Sequence, residues 1–387
     1  MDGEDHTTTL DFTMALSSRT LLLTFASLVA TGGPAAAAHS SSTPQPQNAP
    51  VGGLQIAHIP KHPGTLPVVV VVAQDKAVLS DFVVPYGVLS QSGAAKVIAV
   101  NMTDGPLTAG AVTRLPDMNA AAFDRAYPDG ADYVIVPATA DKHAEESAWL
   151  RTQHAHGAAL VSICDGVELL AEIGALDGRR ATGHWSSLKD RRKHYPQVTW
   201  LTNLRYVADG DVASSAGVSA ALPISLALVE TIAGPQVARA TADRLGIDSW
   251  SAAHDSDVFK VRLTDLAVHS ANMRLKHADV LTLKVRDGDD EVALSLQAEA
   301  WSRTMRDKVH IVSDTASPVR MRGGLRVRTQ AASSVTPDVR IVLAESAPAG
   351  TALPATFDLV AQRYGSRTAR LSALGMEYPW GDLKADR

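Results

Sequence analysis

The chain alternates between unbroken apolar runs and longer mixed stretches. Leu66-Pro67-Val68-Val69-Val70-Val71-Val72 is a continuous, largely β-branched run, the pattern of a strand buried on both faces of a parallel sheet. The stretch from Leu79 to Gln91 predicts a helix stopped by Gly93. Lys96-Val97-Ile98-Ala99-Val100 and Tyr133-Val134-Ile135-Val136-Pro137 predict two further strands, residues 142–156 a helix, and Ala158 to Ile163 the next strand. Strands alternating with helices imply an α/β fold, a doubly wound and mostly parallel sheet flanked by helices in a flavodoxin-like sandwich.

That last strand runs directly into Cys164-Asp165-Gly166 and then into a helix over Val167 to Ile173, closed by Gly174. Almost no loop separates strand from helix. A side chain at such an elbow stands at the carboxyl edge of the sheet, where α/β folds place their ligands. A thiol there also meets a helix N-terminus, whose partial positive charge favours thiolate. This is the logic of a nucleophile elbow, although G-x-S-x-G is absent. The alternative is a small core hydrophobe, the usual state of a lone cysteine in an apolar stretch.

The stretch Val161 to Trp185, VSICDGVELLAEIGALDGRRATGHW, resembles the cysteine elbow of the ThiJ/PfpI superfamily (the class I glutamine amidotransferase-like fold). The nearest branch is that of isonitrile hydratases and the amidotransferase-like domains of AraC-type regulators. Asp81-Phe82-x-x-Pro85-Tyr86-x-Val88 is similar to the acid-bearing segment after the family's first strand. Ser214 to Ala220, followed by Leu226 to Glu230, is similar to its final strand and helix. The resemblance covers residues 66–250. It implies Cys164 as nucleophile and Asp81 as an acid hydrogen-bonded to it, with one of the two protonated. His184 matches the histidine near the cysteine and is a candidate proton shuttle. At the elbow with Gly166, the backbone N–H groups of Asp165 and Ala138 are candidates to stabilise an oxyanion. Plainer roles stay open, with Asp81 as a helix N-cap, His184 as a structural histidine and Trp185 as packing. The chain departs from the family pattern at Asp165, where threonine is usual, at Gly87, where glutamate is common, and at Ala138, where glycine is frequent.

Beyond residue 278 the pattern returns in shortened form. Lys308-Val309-His310-Ile311-Val312 and Pro318-Val319 align without a gap on Lys96 to Val100 and Pro106-Leu107. Asp338 to Val342 echoes Asp132 to Val136, and Leu359 to Gly375 echoes Leu228 to Gly246. A second, truncated copy of the fold is expected over 278–380, joined by a helical connection over 251–277 and followed by a tail over 381–387. In register, Asp81 falls on Ala293 and no cysteine is present, so this copy is expected to be inactive. It would support the first copy or cover the face used for dimerisation, as a pseudo-dimer.

Composition narrows the function classes. With 387 residues the chain is long enough for two domains. A net charge of −5 gives no basic face for nucleic acid. The run Lys189 to Lys193 reads as a solvated helix face, and a strand-rich C-terminal part takes the place of a helix-turn-helix. A leader is expected over 1–38, from Arg19, the apolar stretch Leu21 to Ala30 and the small residues near Ala36 to Ala38, with Met14 as a possible true start. The chain is therefore expected to be exported, with no integral membrane segment after cleavage, since the apolar stretch is too short to span a bilayer. Residues 39–65, rich in Pro, Ser, His and Gly, read as a flexible lead-in. One cysteine excludes an internal disulfide. His154-Ala155-His156 lacks further ligands at metal spacing, and phosphate-binding glycine loops are absent, so neither metal nor cofactor is expected. Two functions follow for a small-molecule partner. One is a hydrolase or lyase that attacks a carbonyl, aldehyde or isonitrile through a Cys164 thiolate. The other is a non-catalytic sensor or binding protein in which Cys164 is a redox or structural residue.

Overall fold

The computed structural model describes residues 54–383, apart from 62, 103, 141–143, 275–277 and 344–347. The expected leader and the lead-in as far as residue 53 lie outside these residues, as do positions 384–387. The valine run forms β1 (Val68–Ala73), buried along its whole length. It leads into α1 (Leu79–Ser92), which stops at Gly93 in the left-handed conformation that glycine adopts without strain. There follow β2 (Lys96–Asn101), the hairpin β3 (Leu107–Ala109) and β4 (Val112–Leu115), β5 (Met118–Asn119), α2 (Ala120–Ala126), β6 (Tyr133–Val136), α3 (Ala144–Ala155) and β7 (Ala159–Ser162). A single 3-10 turn, Cys164–Gly166, opens α4 (Val167–Glu172). The first half closes with β8 (Arg180–Ala181), α5 (Leu188–His194), β9 (Thr199–Trp200), β10 (Tyr206–Asp209), β11 (Val212–Ser215), α6 (Ala221–Ala233) and α7 (Pro235–Leu245).

Seven of these strands form one sheet in the order β10-β11-β7-β6-β1-β2-β5, parallel except for the β10–β11 pair. The fold is mixed α/β, a mainly parallel sheet flanked by helices. Val68, Val70 and Val72 pack with Phe123, Trp149, Leu150 and Leu170 from α2, α3 and α4 on one face. On the other face α1 packs against α6.

The second half comprises α8 (Leu263–Met273), β12 (Asp279–Lys284), α9 (Glu291–Ser302), β13 (Asp307–Ser313), β14 (Val319–Arg320), β15 (Arg326–Arg328), β16 (Gln330–Ala331), β17 (Val339–Val342), α10 (Ala352–Tyr364) and α11 (Ser366–Gly375). Its parallel sheet runs β16-β13-β12-β17. A third, antiparallel sheet, β14-β15-β4-β3, takes one hairpin from each half and joins them through the β15–β4 pair.

The described residues from 54 onward belong to one compact unit. The reason is α1, whose residues Leu79 to Leu89 are all buried. A helix apolar on every side must be covered on every side, and α9 covers the flank that α6 leaves. Part of the expected flexible lead-in, from residue 54 on, is held against the fold. Leu54 and Ile56 are buried, and the Leu54 N–H donates to Ala227 O in α6 at 3.2 Å. Among the described residues no helix is long and apolar enough to cross a membrane.

Gly87 marks the closest approach of α1 to α9. A Cβ there would lie 2.6 Å from Val292 Cγ2 and 2.9 Å from Glu291 Oε1, which accounts for glycine at a position where the resembled family favours glutamate. Gly87→Glu should force the two helices apart and set a second carboxylate against the buried Glu291. A loss of about 2 kcal/mol or more is expected in urea unfolding. An unchanged midpoint would mean that the helices are not in firm contact.

Candidate active site

Cys164 takes the left-handed backbone conformation, φ 57°, between an extended Ile163 and α4. A non-glycine residue adopts this only where its surroundings impose it. Two features impose it here. The Cys164 N–H donates to Ala216 O at 3.1 Å, at the end of β11. Gly166 packs so close to β6 that a Cβ would run into the Val136 carbonyl oxygen and the Pro137 backbone. The sulfur is buried at 5% exposure. Burial pushes the thiol well above its ordinary range; Asp81 and then Asp165 add to this, while Arg303 and the Asp165 N–H oppose it. The resting group is therefore a neutral thiol, not the expected thiolate. Loss of water outweighs the positive end of a helix only six residues long.

Asp81 is the third residue of α1 and wholly buried. It is not the helix cap, which is Val78 and makes no side-chain bond. Asp81 Oδ2 accepts the Ala138 N–H at 3.3 Å, while Oδ1 has no partner. Burial above all, and then Glu299, pushes its pKa well above the carboxylate range, which favours the protonated acid, and its charge is felt at Cys164. The hydrogen bond expected between Asp81 and the thiol is not formed. Nor is the Ala138 N–H free for an oxyanion, because Asp81 takes it.

Asp165 points away from the sulfur. Its carboxylate accepts from Arg191 Nη1 at 2.6 Å and from the Ser187 hydroxyl, while its N–H serves the thiol. Arg191 is 1% exposed, also donates to His184 O at 2.8 Å, and lies over the Trp200 ring. The basic run is thus not uniformly solvated. Lys189, Arg192 and Lys193 are exposed, and Arg191 turns inward to neutralise the carboxylate beside the cysteine.

His184 is buried, with Nδ1 at 2.7 Å from the Ser186 hydroxyl and Nε2 unpartnered. Burial lowers its pKa, opposed by Glu377 and Asp165. It stands beside Gly217, where a Cβ would lie 2.6 Å from both His184 Cδ2 and Glu377 Oε2. Gly217 follows Ala216, the acceptor of the Cys164 N–H, so the histidine flanks the same short segment as the cysteine. Trp185 is a packing residue, its indole donating to Leu374 O and its ring stacked on Phe259.

Three groups from the second half complete the site, and sequence reasoning missed all of them. Glu299 Oε2 accepts the Ser80 N–H at 2.8 Å. Its Oε1 takes Arg303 Nε at 2.9 Å and Nη2 at 2.6 Å. The Arg303 guanidinium, also bonded to Gly375 O, acts on both Asp81 and Cys164. Glu377 Oε2 accepts the Gly217 N–H at 2.7 Å and the Trp185 N–H at 3.3 Å, and Oε1 lies 2.9 Å from His254 Nε2. The available signal was a Glu–Arg pair at i, i+4 on the otherwise apolar end of α9. Among the described residues no cluster of three or more His, Cys, Asp or Glu is placed to hold a metal.

The depressed His184 pKa fixes the sign of one pH effect. The unfolded chain binds a proton at this histidine below about pH 6.5 while the folded chain resists it. Its contribution to stability is fully present above that value and is lost as pH falls towards the folded pKa. The stability of wild type relative to His184→Gln should fall by up to about 1.4 kcal/mol per pH unit below 6.5. Parallel pH profiles from urea unfolding of the two proteins would contradict this.

The model of the DJ-1/PfpI family matches residues 67–231. The HTH-type transcriptional regulator CdhR of Pseudomonas aeruginosa is 40% identical over 90 residues, 23% of this chain and 26% of the regulator. The regulator ArgR of the same organism is 34% identical over 92 residues, 24% of this chain and 28% of its own length. The matches thus span little more than a quarter of either regulator. Among solved structures, DJ-1beta of Drosophila melanogaster is 22% identical, with a TM-score of 0.43 over 48% of this chain and 100% of that one. An AraC family transcriptional regulator from Pseudomonas putida is 20% identical, with a TM-score of 0.42 over 46% and 98%. Residues 67–231, which carry the cysteine elbow, Asp81 and His184, are a domain of the DJ-1/PfpI family.

Proposed function

We propose that the chain is a cysteine-dependent enzyme acting on a small electrophile, a carbonyl, aldehyde or isonitrile, at Cys164. The observation that carries this is the left-handed backbone of Cys164, a strained conformation of the kind that persists at functional sites. The neighbouring groups support it. Neutral His184 offers an unpartnered Nε2 as base, and Asp81, a buried neutral acid, offers a proton. In this scheme sulfur bonds to the electrophilic carbon as the S–H proton passes to His184. The substrate heteroatom takes a proton from Asp81, and water then resolves the adduct while the protons return. Asp165 works against negative charge at sulfur, and its pairing with Arg191 offsets part of that opposition. The Arg303 guanidinium stabilises negative charge developing at sulfur. No cofactor enters the scheme.

A second reading is supported by the burial that keeps the thiol neutral. In it the chain only binds a metabolite, or Cys164 is a redox sensor, in keeping with the regulators among the relatives. Incubating the chain with a panel of aldehydes and isonitriles separates the two. Turnover with a Cys164-linked adduct by intact mass, both abolished in Cys164→Ala, is the expected result. Ligand-induced stabilisation without turnover, unchanged in Cys164→Ala, would replace the enzyme by a binding protein.

The second half is read as a truncated, inactive copy of the first, making a pseudo-dimer within one chain. Its strand order β17-β12-β13-β16 corresponds to β6-β1-β2-β5, and each half supplies one hairpin to the shared sheet. Gly234 between α6 and α7 and Gly365 between α10 and α11 have nearly the same backbone angles, φ 84° ψ 168° and φ 87° ψ 155°. The chain is further read as exported, on the apolar stretch Leu21 to Ala30. Expressed in a bacterium with a Sec pathway, it should appear outside the cytoplasm with a new N-terminus near Ala38, and an uncleaved cytoplasmic product would refute export.

A further inference from the structure

Two strands away from β7, at the carboxyl edge of β1 and β2, a second polar group lies outside the thiol site. Arg114, on β4, is fully buried, yet it meets no carboxylate among the described residues. Its Nη2 donates to Gln74 O at 2.9 Å, while Nε and Nη1 have no partner. The guanidinium lies 3.9 Å from the centre of the Phe82 ring, which holds its plane. Asn101, the last residue of β2, is 1% exposed, and neither its Oδ1 nor its Nδ2 has a partner. It pairs in register with Ala73, the residue before Gln74, so both orphaned side chains gather at one strand end. Gln74 Oε1 and Glu146 Oε1 are likewise unpartnered, and the Gln74 amide nitrogen donates to Glu146 Oε2.

An arginine has five donors in a planar fork and does not lose its charge. Buried without an anion it is an uncompensated charge, and such groups are paired in stable interiors. Asp75 is near enough to be felt, but its carboxylate is exposed and accepts the Thr108 N–H instead. Burial lowers the Arg114 pKa to about 9, the mark of a cation lacking its counter-ion.

We propose that Arg114 and Asn101 form a buried seat for a small oxyanion, a carboxylate or a phosphate group, separate from the Cys164 site and covered by the β3–β4 hairpin. The partnerless Nη1 donates to the oxyanion, together with the second Nη2 hydrogen on the same edge of the guanidinium, while Nε faces another edge. Asn101 Nδ2 adds a third donor, and its Oδ1 is left to accept from a hydroxyl or amine on the ligand.

The full chain is melted in acetate and, separately, in inorganic phosphate, each against sodium chloride at matched ionic strength. The variants Asn101→Asp, Arg114→Lys and Arg114→Gln are measured beside wild type. Wild type should gain about 2–4 °C in Tm at saturating anion. A gain with acetate alone assigns the seat to carboxylates, and a gain with phosphate alone to phosphate groups. Asn101→Asp places a carboxylate beside the guanidinium, so it should melt higher than wild type without anion and gain nothing further. Arg114→Lys keeps the charge but not the fork and should lose most of the gain. The proposal fails if neither anion shifts wild type relative to Asn101→Asp, or if Arg114→Gln gains as much as wild type. Should Arg114→Gln not fold, Asn101→Asp and Arg114→Lys decide alone.

Discussion

One carboxylate, Glu299, ties the second half of the molecule to the thiol site. It accepts the Ser80 N–H at the start of α1 with one oxygen and holds Arg303 with the other. Ser80 precedes Asp81, so the helix that carries the acid is pinned by a residue more than 200 positions away. Without that bond the amide in the first turn of α1 would be buried with no acceptor, a cost of about 1–3 kcal/mol. Arg303 in turn holds the Gly375 carbonyl, which fixes the end of α11 and the segment leading to Glu377. The site thus depends on the packing of α9 against α1, and that packing depends on a helix apolar enough to need covering twice.

Within this enclosure charge is managed by neutralisation. Burial favours the uncharged form of all three groups, the Cys164 thiol, the Asp81 acid and the His184 imidazole. The charged groups nearby, Asp165 with Arg191 and Glu299 with Arg303, are paired at short range. In the proposed reaction the field of Arg303 would matter most as negative charge develops at sulfur.

Much of the first half was legible because its strands are buried on both faces. The runs at β1, β2, β6 and β7 are continuous and β-branched, and the direct passage from Ile163 to Val167 left no room for a loop. The position of Asp81 near the cysteine could be carried over from the family resemblance, but its bonding could not. Whether its carboxyl reaches the sulfur or the Ala138 amide depends on sub-ångström packing. Arg191 shows the same limit from the other side. A basic run reads as solvated, and only the tertiary fold reveals that one member in five turns inward to meet Asp165. Glu299, Arg303 and Glu377 were missed for a different reason: the Glu–Arg spacing on α9 marks an ion pair, but no local pattern reports which distant residues it meets.

The placement of α9 and Glu377 on the same chain as the cysteine has a consequence for dilution. A site assembled from two separate subunits loses half its walls when the protein is dilute, and its occupancy follows the association constant. Here the two contributors are joined by covalent bonds through α8, and their effective concentration is set by the fold and not by the surroundings. Such a chain would keep its site whole on dilution, with one thiol per chain.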